Sequence, residues 1–212
     1  MGISVSIAIL AGGSSSRFGG IDKQELLFLG SMLGRRVAEQ ALSTGSTVTI
    51  VGRNPKPYRA LPVQFAEDTI PGYGPLSGLH AALLATESDY VYLLACDMPF
   101  FSPGWYQRLL DLARLDPGLD AILALSSGGP QPFHALYSKR LVPLLESGFF
   151  AASRSRERLS FARAIAGSSC LFIPEKETEG LTHKGNIFNG INTPQEAKLL
   201  EEKVRSETAS FL

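Results

Sequence analysis

Ser4-Val5-Ser6-Ile7-Ala8-Ile9-Leu10-Ala11-Gly12-Gly13-Ser14-Ser15-Ser16-Arg17-Phe18-Gly19-Gly20 is the stretch on which the fold turns. Ser4 to Leu10 alternates and then becomes continuously apolar, which predicts a strand closed by Ala11-Gly12-Gly13. Paired glycines after a strand permit positive φ and close backbone approach, so successive N–H groups can converge on an anion. The serines add hydroxyl donors, Arg17 and Lys23 add positive charge, and no acidic residue precedes Asp22. Neither G-x-G-x-x-G nor G-x-x-x-x-G-K-[ST] is present, so the two familiar phosphate loops do not apply. A flexible Gly/Ser surface loop is the competing reading of this segment alone.

Outward from that loop, apolar runs alternate with helical spacing, the mark of α/β architecture with a mostly parallel sheet. Strands are predicted at 47–51, 63–66, 90–95, 121–125 and 170–173, and helices at 33–42, 75–86, 104–115, 141–145 and 159–165. Tyr90 to Ala95 is almost wholly apolar, as a strand covered on both faces should be. Pro132 to Tyr137 reads as a segment pairing antiparallel at one edge, and 174–185 as a flexible polar loop. Thr193-Pro194-Gln195-Glu196 is a capping box with Pro at the first helical position. There is no repeat, linker or low-complexity tract, and 212 residues against roughly 150 per domain predict one domain, 1–212.

Composition narrows the function. Twenty basic residues cancel twenty acidic ones, so no global field exists to hold nucleic acid or an anionic membrane surface. Any polyanion must be small and met by a local site. Two cysteines are too few for a disulfide framework or a Cys-rich zinc site. No apolar stretch approaches the ~20 residues of a membrane span, and no signal peptide is seen, so a soluble cytoplasmic protein is expected. A myristoylation-like pattern at Met1 to Ser6 is overridden by the strand that begins there.

Asp97 falls just past the carboxyl end of an apolar parallel strand, where open α/β sheets place ligand chemistry. Beside a triphosphate an acid there makes sense with Mg²⁺ between them, though it can also be read as the cap of a following helix. Gly74-Pro75-Leu76-Ser77-Gly78 leads into a helix whose free N–H groups would face an anion. His80, His134 and His183 have no second ligand at metal spacing. No G-x-S-x-G elbow presents a nucleophile, and Trp105 reads as a packing residue.

Leu-Ala-Gly-Gly-x-Ser-x-Arg-x-Gly-Gly-x-Asp-Lys, here Leu10 to Lys23, resembles the nucleotidyltransferase loop of the molybdenum cofactor guanylyltransferases. The resemblance continues in Gly74 to Gly78, Cys96-Asp97-Met98-Pro99, Pro132 to Tyr137 and Asn192-Thr193-Pro194, in the family's order and over most of the chain. It implies a single Rossmann-like nucleotidyltransferase domain with helices on both faces of the sheet. The implied reaction is GMP transfer from GTP to molybdenum-bearing molybdopterin, releasing pyrophosphate. The implied nucleotide-binding residues are Leu10, Ala11, Gly12, Gly13, Ser14, Arg17, Lys23, Asp68 and Asp97. Arg17, Lys23 and Asp97 are the implied catalytic residues, and Asp97 the ligand of Mg²⁺. Gly74, Pro75, Leu76, Ser77, Gly78 and Asn192 are the implied substrate-binding residues. Molybdoenzyme maturation proteins are the implied delivery partners. The family's Asn-x-Asn-Thr-Pro is broken, since position 190 is Gly and the nearest Asn is Asn189. In an extended segment that shift turns a side chain to the other face. Two alternatives stay open: CMP transfer to molybdopterin or nucleotide transfer to a sugar or lactyl phosphate, and a non-catalytic GTP- or pterin-binding carrier.

Overall fold

The computed structural model describes residues 2–12, 22–155, 157–178, 181 and 187–209. In chain order the strands are β1 (Val5–Leu10), β2 (Leu27–Phe28), β3 (Ser31–Met32), β4 (Val48–Val51), β5 (Gln64–Ala66), β6 (Tyr90–Ala95), β7 (Ala121–Ser126), β8 (Gly129–Pro130), β9 (Ala135–Ser138) and β10 (Cys170–Pro174). The helices are α1 (Leu33–Leu42), α2 (Pro75–Ala85), α3 (Pro103–Leu115), α4 (Val142–Ser155), α5 (Phe161–Ala164) and α6 (Pro194–Ala209).

The main sheet runs β10-β7-β9-β6-β1-β4-β5, with β8 paired to β7. β1 pairs in parallel with β6 on one side and β4 on the other, and β5 continues parallel beyond β4. From β1 the chain builds outward to β4 and β5, then returns to lay β6 on β1's other flank. That reversal opens a crevice at the carboxyl ends of β1 and β6, where parallel α/β sheets bind ligands.

Strand alternation sorts the core onto two faces. Ile7 and Ile9 of β1, with Tyr92 and Leu94 of β6, pack with α1 and α3. Ala8, Leu10, Val91 and Leu93 pack with α2, α4 and α5. Helix α2 is buried from Leu76 to Leu83 because the sheet lies on one side and α4 on the other. Ser6 would be a polar intruder in β1, but its hydroxyl meets that of Thr86 at 2.7 Å. Among the described residues no helix is long and apolar enough to cross a membrane.

Three sequence expectations need correction, and one small element was not anticipated. The antiparallel strand after Pro132 is not at an edge: β9 lies between β6 and β7 and pairs antiparallel with both. Ala135, Leu136 and Tyr137 are all fully buried, which suits an interior strand and not a half-solvated one. The polar stretch after β10 is not wholly loop, since Glu175–Thr178 forms a 3₁₀ turn closed by the Thr178 hydroxyl on the Glu175 carbonyl (2.7 Å). The small antiparallel pair β2–β3 carries no alternating run and escaped notice; Leu29 and Gly30 turn it with φ of 50° and 80°. In the capping box, Thr193 Oγ accepts from the Glu196 N–H (3.1 Å), but the Glu196 carboxylate reaches back to the Asn192 N–H (2.6 Å) in place of Thr193's own.

His134 enters β9 with φ of 52°, an unusual value for a bulky residue, and is fully buried. Its N–H donates to the Leu93 carbonyl (2.8 Å), its carbonyl accepts from Trp105 Nε1 (2.7 Å), and Nδ1 bonds the Tyr92 hydroxyl (3.1 Å). Trp105 is indeed a packing residue, fully buried against Phe188. Nε2 of His134 is buried without a hydrogen-bond partner among the described residues. Burial pushes the imidazole pKa down from 6.5 to about 3. Between these values the unfolded chain binds a proton that the folded protein refuses, so stability falls as pH drops through that window. This one group contributes at most about 1.4 kcal/mol per pH unit. His134→Asn keeps a residue tolerant of positive φ and removes the titration. Urea unfolding from pH 7 to pH 4 is expected to show a shallower loss of stability in that variant than in the wild type.

Candidate active site

Three of the sequence-predicted residues meet at the carboxyl end of β1 and β6. Lys23 Nζ donates to Asp97 Oδ2 at 3.0 Å and to Asn192 Oδ1 at 2.9 Å. They lie far apart in sequence, and each is delivered by a different device. Asp97 follows β6 in a turn in which the Met98 N–H returns to the Ala95 carbonyl (3.2 Å). It does not cap α3; Ser102 does, accepting from the Trp105 N–H at 3.1 Å. Lys23 opens a 3₁₀ turn over Lys23–Glu25 capped by Asp22, whose carboxylate accepts from the Gln24 N–H (3.2 Å). Asn192 stands on the segment before α6, which is laced to the site by the Ile191 N–H on the Asp97 carbonyl (2.8 Å).

That segment also carries the break in the motif. A Cβ on Gly190 would lie 3.3 Å from Asp97 Oδ1 and 3.4 Å from its Cγ. Position 190 therefore presses directly on the acid, and glycine leaves the carboxylate where Lys23 meets it. Asn189 is exposed.

Residues that sequence reasoning did not single out hold the lysine turn in place. Gln24 is 1% exposed, and its Nε2 donates to the Ala11 carbonyl (3.2 Å) and to Asp22 Oδ2 (2.8 Å). Asn54, just beyond β4, donates to both Asp22 (3.0 Å) and Glu25 (2.8 Å). Lys56 pairs with Glu25. These contacts hold the Glu25 carboxyl below its usual pKa, Lys56 first and Asn54 second. A signal for Asn54 existed: it is a polar residue past the carboxyl end of a parallel strand, the same position that marked Asp97.

The end of β1 is tightly engaged. The Leu10 carbonyl accepts from the Cys96 N–H (3.0 Å), and the Ala11 N–H donates to the Val51 carbonyl (2.9 Å). Gly12 is exposed at the mouth of the crevice. Gly13, Ser14 and Arg17 lie outside the described residues. Burial pushes the Cys96 thiol pKa up, with the Asp97 charge adding to it, so this thiol is inert packing beside the site.

The Gly74 to Gly78 block reads differently in three dimensions. Gly74 caps α2 with φ of 57°, a conformation glycine adopts without strain. The free amides expected there are engaged: the N–H of Leu76 donates to Tyr73, and those of Ser77 and Gly78 to Gly74. Leu76 and Ser77 are buried, and the Ser77 hydroxyl accepts from the Tyr73 N–H (3.1 Å). A Cβ on Gly78 would come within 2.8 Å of the Leu10 side chain, so this glycine lets α2 seat against the end of β1. Gly74 and Pro75 are the exposed members of the block.

Asp68 follows β5, two strands from β1, and is exposed. Partial desolvation raises its carboxyl pKa, opposed by the Arg53 charge. No bond among the described residues joins it to the Lys23–Asp97–Asn192 junction.

A family model described as "MobA-like NTP transferase domain" matches residues 7–165. The chain belongs to this family. A probable molybdenum cofactor guanylyltransferase of Peptoclostridium acidaminophilum is 29% identical over 95% of this chain and 90% of its own. A molybdenum cofactor guanylyltransferase of Syntrophotalea carbinolica is 31% identical over 90% of this chain and 88% of its own. The crystal structure of molybdopterin-guanine dinucleotide biosynthesis protein A from Archaeoglobus fulgidus superposes with a TM-score of 0.73 at 26% identity, covering 95% of this chain and 99% of that one. A 2-C-methyl-D-erythritol 4-phosphate cytidylyltransferase from Thermus thermophilus shares the fold at a TM-score of 0.64 and 19% identity, covering 97% of this chain and 100% of that one.

The carboxylate after β6 lies against a bare position 190, and Gly190→Val tests that contact. A Cβ there already sits tighter against Asp97 than ordinary contact, so the β-branched side chain should displace the carboxylate. With Asp97 in the catalytic role proposed below, where misplacement at a reacting centre is costly, a loss of roughly tenfold or more in nucleotidyl transfer is expected. Far-UV circular dichroism should be unchanged, because Gly190 lies outside every helix and strand.

Proposed function

We propose that this chain, acting as one nucleotidyltransferase domain, transfers GMP from GTP to molybdenum-bearing molybdopterin and releases pyrophosphate. The observation that carries the reading is the convergence of Lys23, Asp97 and Asn192 at the carboxyl end of β1 and β6, in a chain of this family. The terminal phosphate oxygen of the acceptor attacks the α-phosphorus of GTP. The bond from that phosphorus to the bridging oxygen breaks, and pyrophosphate departs with its electron pair. A phosphate monoester has a second pKa near 6, so at neutral pH the nucleophile is already largely deprotonated. No general base is needed, and positioning and charge neutralisation do the catalysis.

Nucleotidyltransferases of this kind typically use a divalent metal, and we take it to be Mg²⁺. The residues fit: Asp97 and Asn192 already turn two oxygens toward one cation, the Lys23 ammonium. Asp97 would hold the metal, which supplies charge neutralisation for the triphosphate. Lys23 then exchanges the carboxylate for phosphate, where an ammonium provides charge and three donors. Arg17 and the amides from Gly12 onward complete the phosphate grip in this reading. The Leu10 and Ala11 backbone groups that pair within the sheet shape the loop, and Asp68 binds the nucleotide from the β5 side. With GTP as donor, the reaction is one for the cytoplasm.

Asp97→Asn should nearly abolish turnover, because an amide cannot supply an anionic ligand. The Lys23–Asp97 pair is 32% and 20% exposed, so breaking it should cost at most about 1 kcal/mol of stability. Full divalent-dependent activity in that variant would refute the assignment of Asp97. Lys23→Ala should weaken GTP binding more than guanosine binding by calorimetry; equal losses would mean that Lys23 only shapes the turn.

Guanine offers donors at N1 and N2 beside the O6 acceptor, and a site built for them leaves buried groups unpaired with cytosine. Each unpaired group costs about 1–3 kcal/mol, so kcat/KM with molybdopterin as acceptor should favour GTP over CTP by roughly tenfold or more. A preference for CTP would move the chain to cytidylyl transfer. Absence of pyrophosphate release with every nucleotide would favour a carrier.

A further inference from the structure

Asp68 sits on the loop between β5 and α2, and its neighbour Thr69 is bonded into the body of the protein. Thr69 Oγ1 lies 3.2 Å from His80 Nδ1, and His80 Nε2 lies 3.1 Å from Glu146 Oε1. His80 is 1% exposed and stands edge-on to the Phe149 ring, centroids 5.7 Å apart. A carboxylate only accepts, so Nε2 carries a hydrogen and donates to Glu146. With the ring neutral, Nδ1 is then the acceptor for the Thr69 hydroxyl. Farther along the same loop, the Tyr73 hydroxyl donates to the Phe149 carbonyl (2.8 Å) and its ring stacks on Phe149 at 4.4 Å. The loop bearing Asp68 is thus fastened to α2 and α4, and α4 supplies no residue to the Lys23–Asp97–Asn192 junction.

We propose that His80 is a positioning residue for Asp68, fixing it through the Thr69 hydroxyl, with Glu146 setting the imidazole's tautomer. Asp68 is itself exposed, so the place of its carboxylate follows the backbone that Thr69 anchors. The inference rests on the reading of Asp68 as a nucleotide-binding residue, and it adds the side chains of Thr69, His80 and Glu146 and a second helix layer to that site.

Three substitutions separate the bonds. Thr69→Val removes only the hydroxyl. His80→Gln sets an amide near the Nε2 position and keeps the Glu146 contact, whereas His80→Asn sets one near Nδ1 and keeps an acceptor for Thr69. Thr69→Val and His80→Gln should raise KM for GTP roughly three- to tenfold, the loss expected for one hydrogen bond, with kcat unchanged. His80→Asn should stay closer to the wild type. In an Asp68→Asn background, Thr69→Val should add nothing, because the group being positioned is gone. Thermal unfolding checks that each variant is folded, and Thr69, being exposed, is the substitution least able to disturb the core. A folded Thr69→Val protein with wild-type KM overturns the proposal, as does a KM effect that persists undiminished in the Asp68→Asn background. If Asp68→Asn alone leaves GTP binding intact, the nucleotide role of Asp68 falls and the inference with it. If that variant weakens binding and Thr69→Val does not, only the positioning role falls.

Discussion

The parallel pairing of β1 with both β6 and β4 is the constraint on which the remaining geometry depends. β1 is locked along its length, Val5 to Leu10 against β6 and Ile7 to Leu10 against β4. Its last groups are fixed as well, the Leu10 carbonyl by Cys96 and the Ala11 N–H by Val51. From that fixed end the Gly/Ser-rich sequence departs, α2 seats on the Leu10 side chain, and Gln24 ties the lysine turn to the Ala11 carbonyl. A hydrogen-bonded strand end is stiffer than any loop, so the groups hung from it inherit its placement.

The parallel half of the fold was legible because its signals are local. β1, β4 and β6 are short apolar runs ended by polar or glycine residues, and α1 shows its apolar stripe at the spacing of its buried Leu33, Val37, Ala38 and Ala41. The place of β9 was not legible. Ala135 to Ser138 reads the same whether it lies at an edge or inside, since sheet position is decided by long-range pairing with Leu93 and Ile122 and not by the segment's own pattern. The two-residue strands β2 and β3 are too short to show any period at all.

The site followed the same division. Lys23, Asp97 and Asn192 were found as residues in motifs, but their meeting at a single ammonium joins positions 74 and 169 apart, which no local pattern encodes. Leu76 and Ser77 were marked by the same motif reasoning, and their side chains face the interior, where they pack α2. Gly190 looked like a lapse from a pattern, and only the fold shows that it lies against the Asp97 carboxylate. Gln24, Asn54, Thr69 and His80 carry no motif; they matter through partners that only the folded chain supplies.

The interior antiparallel strand also dictates an order of events during synthesis. β6 leaves the ribosome with β1 already available on one flank, but its other flank stays open until β9 has been made, some forty residues later. Through that interval a fully apolar strand presents unpaired backbone to its surroundings, the kind of edge that recruits other nascent chains. Insertion of β9 closes β6 and offers β7 its partner in one move, and the burden of an open edge passes to β5 and to β10, the last strand among the described residues.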